Sequence, residues 1–233
     1  MSISHYSYKY GHGSKEFSLE SDRVIKEVTV AKMPLLEDVK AAILDAVYHP
    51  IGSAPINELV KPGQKIAFIC NDPTRVANSF VFMPILVNEM NKLGIKDEDM
   101  HIVFALGTHR NMTHEEMVEA VGAEVAGRLK MYNSDAKVSE DFEYFGDTSR
   151  GTPVWLNKHI CHVDHVIMTG TIVHHYFSGY GGGRKAILPG VAAICWILMQ
   201  VWVKLSAILF MKTKWKVWPC LPKTIPYFFL MRS

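Results

Sequence analysis

Three short stretches of this chain hold side chains able to bind an anion or move a proton. The first, Asn71-Asp72-Pro73-Thr74-Arg75, sets a carboxylate three residues from a guanidinium. An arginine fork can hold a substrate carboxylate through two parallel hydrogen bonds, and the same spacing also suits a local ion pair in a turn. The second, Gly107-Thr108-His109-Arg110, offers an imidazole, the side chain best matched to proton transfer near neutral pH. His114, just beyond it, reads as a surface residue. The third and densest runs from His174 to Lys185 and combines a histidine pair, Gly179, Gly181, Gly182 and Gly183, and the adjacent cations Arg184 and Lys185. Glycines admit close backbone approach to a phosphate or cofactor. A plain glycine-rich turn with a surface lysine has the same composition. The stretch is not a Walker A loop, because Arg184 stands where the glycine before the lysine belongs and Ala186 replaces the Ser or Thr. Adjacent histidines on a strand point to opposite faces, so at most one of His174 and His175 faces a common site.

The elements around these stretches give them a shared address. Pro34 to Val47 carries Leu36, Val39, Ile43 and Val47 at helical spacing, closed by the turn residues from His49 to Ser53. Lys65 to Cys70 is a short apolar run ending at Asn71-Asp72-Pro73, as expected of a buried strand that enters a loop, with a helix following to about Leu93. His101 to Leu106 repeats the pattern, and Thr113 with Glu116 forms a capping box for the next helix. His165 to Thr169 is a third strand. Strands alternating with helices predict an α/β fold with a mainly parallel sheet, in which ligands bind beyond the carboxyl ends of the strands. All three reactive stretches fall at such ends.

Composition narrows the function further. With 233 residues and 48% hydrophobic composition there is material for a real core. No basic and apolar leader opens the sequence, so the cytoplasm is the expected compartment, with no membrane partner. Cys70, Cys161, Cys195 and Cys220 are scattered without a C-x-x-C pair and read as reduced, structural or accidental thiols. The net charge of +2 hides a break: residues 195–233 hold six basic residues and no acid, leaving 19 basic and 23 acidic residues before them. An acidic body argues against a nucleic-acid partner.

Taken together, Asp72-Pro-Thr-Arg75, Gly107-Thr-His109-Arg-x-x-Thr113-His-Glu-Glu116 and His175-x-Phe-x-Gly-x-Gly-Gly-Gly-Arg-Lys185-x-x-Leu-Pro-Gly190 resemble the nickel-dependent lactate racemase family, as does Pro50-Ile-Gly-Ser53. The likeness runs in order over roughly residues 15–193, and residues 1–193 would form that family's N-terminal domain. It implies a 2-hydroxyacid racemase or epimerase using a nickel-pincer nucleotide, a pyridinium thioamide/thiocarboxylate mononucleotide carrying nickel, attached covalently through Lys185. Cofactor-maturation proteins and a small 2-hydroxyacid substrate are the implied partners. By the same resemblance His109 and His175 are the two acid–base residues, one for each enantiomer, while a hydride leaves C2 and returns. Asp72 and Arg75 bind substrate, Arg75 steadied by Asp72, and Thr74, Gly181, Gly182, Gly183 and Arg184 join Lys185 in binding the cofactor. Two rival readings remain at this stage: a non-catalytic α/β protein that binds a phosphorylated nucleotide or cofactor, and a dehydrogenase-like enzyme, for which no G-x-G-x-x-G follows the first strand.

The chain also departs from that family. Its members are longer, with a second domain that adds substrate-binding residues, and they place a nickel-binding histidine after the tethering lysine. No histidine follows His175 here, so no metal ligand is expected from this chain and the chain as it stands is expected to be inactive. The tail from residue 194 to 233 is expected to be irregular and aberrant. It holds four of the five tryptophans, and its apolar run from Val191 to Val203 is 13 residues interrupted by Gln200, against about 20 for a membrane span. Pairing the last base of each codon with the first two of the next forces glutamate at Met211-Lys212 and at Trp215-Lys216, and alanine at Trp218-Pro219. That frame resembles the family's own continuation, and an out-of-frame tail explains the missing acids and surplus tryptophans.

Overall fold

The computed structural model describes residues 2–11, 13–28, 34–75, 77–148, 151, 153–175, 179–193 and 227–232. The chain divides into two compact units, Met1–Glu37 and Asp38–Ser233. In the first, β1 (Ile3–Tyr10) pairs antiparallel with β2 (Gly13–Glu20). Alternation puts Tyr6, Tyr8 and Phe17 on one face, with Phe17 centred 5.5 Å from Tyr6 and 5.4 Å from Tyr8.

The second unit opens with α1 (Val39–Tyr48), not at Pro34 as its apolar spacing suggested. The correction has a local cause. The Asp38 side chain accepts from the Ala41 N–H at 2.9 Å, making Asp38 the N-cap, while Leu35 and Leu36 stay exposed. After α2 (Ile56–Leu59) come β3 (Ile66–Asn71), α3 (Ser79–Lys92), β4 (Met100–Ala105) and α4 (His114–Val121), the last entered through the expected Thr113–Glu116 capping box. Then follow α5 (Ala123–Ala126), β5 (Lys130–Asn133), the antiparallel pair β6 (Phe142–Asp147) and β7 (Pro153–Asn157), α6 (Lys158–Cys161) and β8 (His165–Thr171). A two-residue pair, β9 (His174–His175) with β10 (Gly179–Tyr180), leads into α7 (Arg184–Ile187). Of the tail, only β11 (Tyr227–Arg232) is described; Cys195, Cys220 and the reading of residues 194–226 as out of frame lie outside the described residues.

The sheet has the order β11-β8-β3-β4-β5, with all neighbours parallel. It is covered on both faces, which is why its strands read as continuous apolar runs rather than alternating ones. Phe68, Ile102 and Phe104 point into one layer with Met83, Leu86 and Met90 of α3 and Val121 of α4. Their sequence neighbours Ile69 and Val103, with Met168 of β8, point the other way, against Val154 and Leu156 of β7 and Ala186 and Ile187 of α7. Cores on both faces leave the carboxyl ends of the strands as the place where loops can gather. Among the described residues no helix is long and apolar enough to cross a membrane.

Candidate active site

At the end of β3 the chain turns at once. The Arg75 N–H donates to the Asp72 carbonyl at 3.1 Å, and the Asp72 side chain accepts from the Thr74 N–H at 2.8 Å and from the Thr74 hydroxyl. This is an Asx-type turn, in which the side chain bonds the backbone two residues on. The Asp72 carboxylate is buried, 8% exposed, and lies 3.3 Å from Nδ1 of His109. Thr74 and His109 therefore hold Asp72, and the Asx turn directs the carboxylate over residue 74 and toward the neighbouring loop, in the same pocket as Arg75.

That neighbouring loop follows β4. Gly107, at φ 58°, donates its N–H to the Gly190 carbonyl at 2.9 Å, and the His109 N–H donates to the Leu106 carbonyl at 3.0 Å. The tight turn leaves the His109 side chain 44% exposed, so its imidazole is reachable from solvent on one side and braced by a carboxylate on the other. Arg110 has a different fate. Its guanidinium grips Glu116 at 2.5 and 2.8 Å, and this pairing, with the Thr113 N–H, drops the Glu116 carboxyl to about 2. His114 is exposed at the start of α4, as expected.

The third loop follows β8 and folds back on itself. The Gly181 N–H donates to the Val173 carbonyl at 2.7 Å and the Lys185 N–H to the Gly182 carbonyl at 3.1 Å. A Cβ on Gly181 or Gly182 would come within 3.2 Å of the Thr171 carbonyl, so glycine keeps this wall thin. Because Ala186 and Ile187 are buried against the sheet, α7 is anchored and carries Lys185 into a small pocket lined by Asn71, Asp72, Arg75, Gly181, Gly182 and Lys185. Burial lowers the Lys185 pKa below the ordinary lysine value, the nearby Arg75 cation lowers it further, and Asp72 opposes both. A lysine so placed can present a neutral, nucleophilic amine.

The three loops are thus joined pairwise, by Asp72 with His109, by Gly107 with Gly190, and by Asp72 and Arg75 with Lys185. Thr74 takes part through Asp72. His175 lies on the same segment as Lys185, opposite Gly179 in the short strand pair and half-buried; it does not line the pocket, nor do Gly183, buried at the N-cap of α7, and Arg184, whose pKa is lowered by burial. His174 is exposed, its ring 4.8 Å from that of Tyr180. Among the described residues no three potential metal ligands converge. Cys70 and Cys161 are poor nucleophiles, since burial pushes each thiol up to about 12. Asn71, a further pocket residue, stood in the sequence only as the first residue of the loop after the apolar run, with no role of its own; the structure makes it the last residue of β3.

Comparison with known proteins fits this geometry. Residues 10–200 match the family model for the lactate racemase N-terminal domain. The chain is 29% identical over 191 residues to a lactate racemase of Thermoanaerobacterium thermosaccharolyticum, covering 81% of this chain and 45% of that protein. It is 32% identical over 145 residues to a lactate racemase of Lactiplantibacillus plantarum, covering 62% of this chain and 34% of that one. The chain thus spans less than half the length of these curated relatives. In fold it is similar to the lactate racemase apoprotein from T. thermosaccharolyticum, with a TM-score of 0.77 at 24% identity, covering 99% of this chain and 56% of that one. A Thermotoga maritima protein aligns with a TM-score of 0.55 at 21% identity, over 74% of this chain and 42% of its own.

Proposed function

Because the chain belongs to the lactate racemase N-terminal domain family, we propose that it is the cofactor-tethering part of a racemase or epimerase of small 2-hydroxyacids. The observation that carries this reading is Lys185: a half-buried amine with a lowered pKa, beside Arg75, in a pocket walled by Gly181 and Gly182. These residues fit the organic part of a nickel-pincer nucleotide. Lys185 supplies the amine for a covalent link, and Arg75 with the backbone N–H of Gly182 suits its anionic oxygens. In this reading the nickel arrives with the nucleotide, from maturation proteins in the cytoplasm. When bound, that group supplies an acceptor and donor of hydride beside C2 of the substrate.

The protein's own part is positioning and proton transfer. Arg75 holds the substrate carboxylate through its planar fork. His109, braced at Nδ1 by Asp72, takes or returns the hydroxyl proton through Nε2, and His175 serves the opposite enantiomer. Since the chain spans 45% of one relative and 34% of the other, residues from the remainder would have to close the pocket against water, and this chain alone is expected not to racemise lactate.

The test is mass spectrometry of the peptide containing Lys185 after expression beside cofactor-maturation proteins. A covalent adduct is expected on the wild-type chain and on neither Lys185→Ala nor Lys185→Arg, because a guanidinium stays protonated and is a poor nucleophile. If Lys185→Arg retains the nucleotide as well as the wild type does, the lysine only neutralises a phosphate, and the non-catalytic reading replaces this one.

A further inference from the structure

The strand β3 is apolar from Ile66 to Cys70 and then closes on the carboxamide of Asn71. Asn71 lines the pocket with Arg75 and Lys185, and among the described residues nothing donates to or accepts from its side chain. Its surroundings keep that side chain in place without bonding it. On one side its register partner is Ala105 of β4, which is too small to cover it and has no polar side chain to offer. On the other, Gly170 of β8 lies so close that a Cβ there would fall 2.7 Å from Oδ1 and 2.8 Å from Nδ2. A side chain at Gly170 would displace the carboxamide. A polar group that is held, open and unpartnered at the end of a central strand is where α/β folds present a group to ligand.

The chemistry of the pocket selects what that ligand offers. Arg75 and, while its amine is unlinked and protonated, Lys185 face one carboxylate, Asp72, whose acceptor oxygen already serves Thr74 and His109. An anion entering here meets two attracting charges, but its oxygens still need directional donors. The Asn71 amide can donate twice through Nδ2 without adding charge.

We propose that Asn71 is an anion-binding residue of this pocket, its Nδ2 donating to an oxygen of a carboxylate or phosphate drawn in by Arg75 and Lys185. The inference rests on the proposed reading of the pocket as the place where substrate and cofactor meet, and names a further residue in it. The shared chemistry is the oxyanion; the substrate's carboxylate and the nucleotide's phosphate are its two sources.

The test uses the 233-residue chain with two probes, L-lactate and inorganic phosphate, titrated separately by calorimetry into the wild type, Asn71→Ala and Asn71→Asp. A hydrogen bond to a charged group predicts about a tenfold or greater weakening for Asn71→Ala. Asn71→Asp has the same shape but sets a second carboxylate against the anion, and binding should fall further. Loss with lactate alone assigns Asn71 to the substrate, and loss with phosphate alone assigns it to the cofactor. Asn71→Ser, a small polar variant checked for folding by circular dichroism, covers the case in which either substitution fails to fold, and it should bind between the wild type and Asn71→Ala. The inference is overturned if the wild type binds neither anion, or if all variants bind both as the wild type does. The Lys185 adduct is read independently. An absent adduct with Asn71-dependent binding removes the racemase reading and leaves the anion site, and an adduct with Asn71-independent binding does the reverse.

Discussion

The carboxylate of Asp72 lies 3.3 Å from Nδ1 of His109, across the gap between the loops that follow β3 and β4. An acceptor on Nδ1 favours the tautomer with its proton there and leaves Nε2 free to act as base. Asp72→Asn removes the anionic acceptor while keeping the shape. Long-range proton–nitrogen NMR should find His109 mostly as the Nδ1–H form in the wild type, with the tautomer ratio shifted about tenfold toward Nε2–H in the variant. An unchanged ratio would mean that the pair is a contact of position only.

The same loop sets the reactivity of Lys185. Burial and Arg75 hold its pKa down and Asp72 pulls it up, so the neutral amine exists at lower pH than for a solvent lysine. The pH profile of acylation at the Lys185 peptide, read by mass spectrometry, should move to higher pH in Arg75→Ala, where a repelling cation is gone. It should move to lower pH in Asp72→Asn, where the favourable anion is gone. The sign for folding follows the same logic: the unfolded chain binds this proton more readily, so stability rises with pH from the depressed folded value up to the unfolded one. Identical acylation profiles in both variants would rule out this coupling.

Much of this arrangement was written in local pattern. The apolar runs of β3, β4 and β8, each ending in turn residues, and the Thr113–Glu116 box were legible because a doubly covered sheet needs continuous hydrophobic strands and a helix needs its cap. The three loops were legible for the same reason, since each begins where such a run stops. What escaped lay where local pattern is silent or competes. β1 and β2 form an antiparallel pair whose tyrosines and Phe17 alternate with serines and charges, on strands that are mostly exposed, so no buried face announced it. The start of α1 was read from apolar spacing, and the Asp38 cap won. The partner of Asp72 is 37 residues away in sequence, and only the adjacency of β3 and β4 brings His109 to it. Asn71 is marked as a ligand group only by its small neighbours, Ala105 and Gly170, on two other strands.

Gly190 closes the third loop at a point where no side chain fits. A Cβ there would lie 2.2 Å from the Ala186 carbonyl and 2.8 Å from the Ala105 side chain. Gly190→Ala should lower stability by about 1–3 kcal/mol, as overpacking does, and loosen the Gly107–Gly190 hydrogen bond that positions the His109 turn. Gly13→Ala, whose added Cβ meets only the Tyr10 carbonyl at 4.0 Å, is the control and should change little. Urea midpoints of the two variants decide the matter, and equal midpoints would show that the α7 loop can shift to accept the methyl.

The tail offers the last test. Residues 195–233 carry six cations, no acid and four tryptophans, and the family match ends at residue 200. We propose that this segment is an out-of-frame translation and no working part of the domain. Its one described element, β11, pairs along β8 on a single side, while β8 keeps its own pairing to β3 and its place between two apolar layers. As an edge strand it joins no second strand, so its loss leaves the β8–β3, β3–β4 and β4–β5 pairings in place. A chain ending at residue 193 should therefore keep its urea stability within about 0.5 kcal/mol, as surface changes do, and should aggregate less, because large apolar side chains not selected to pack are gone. Lys185 acylation should be unchanged in it. A loss of stability well beyond that range, or aggregation through the uncovered edge of β8, would show that β11 belongs to the sheet and that the tail is part of the fold.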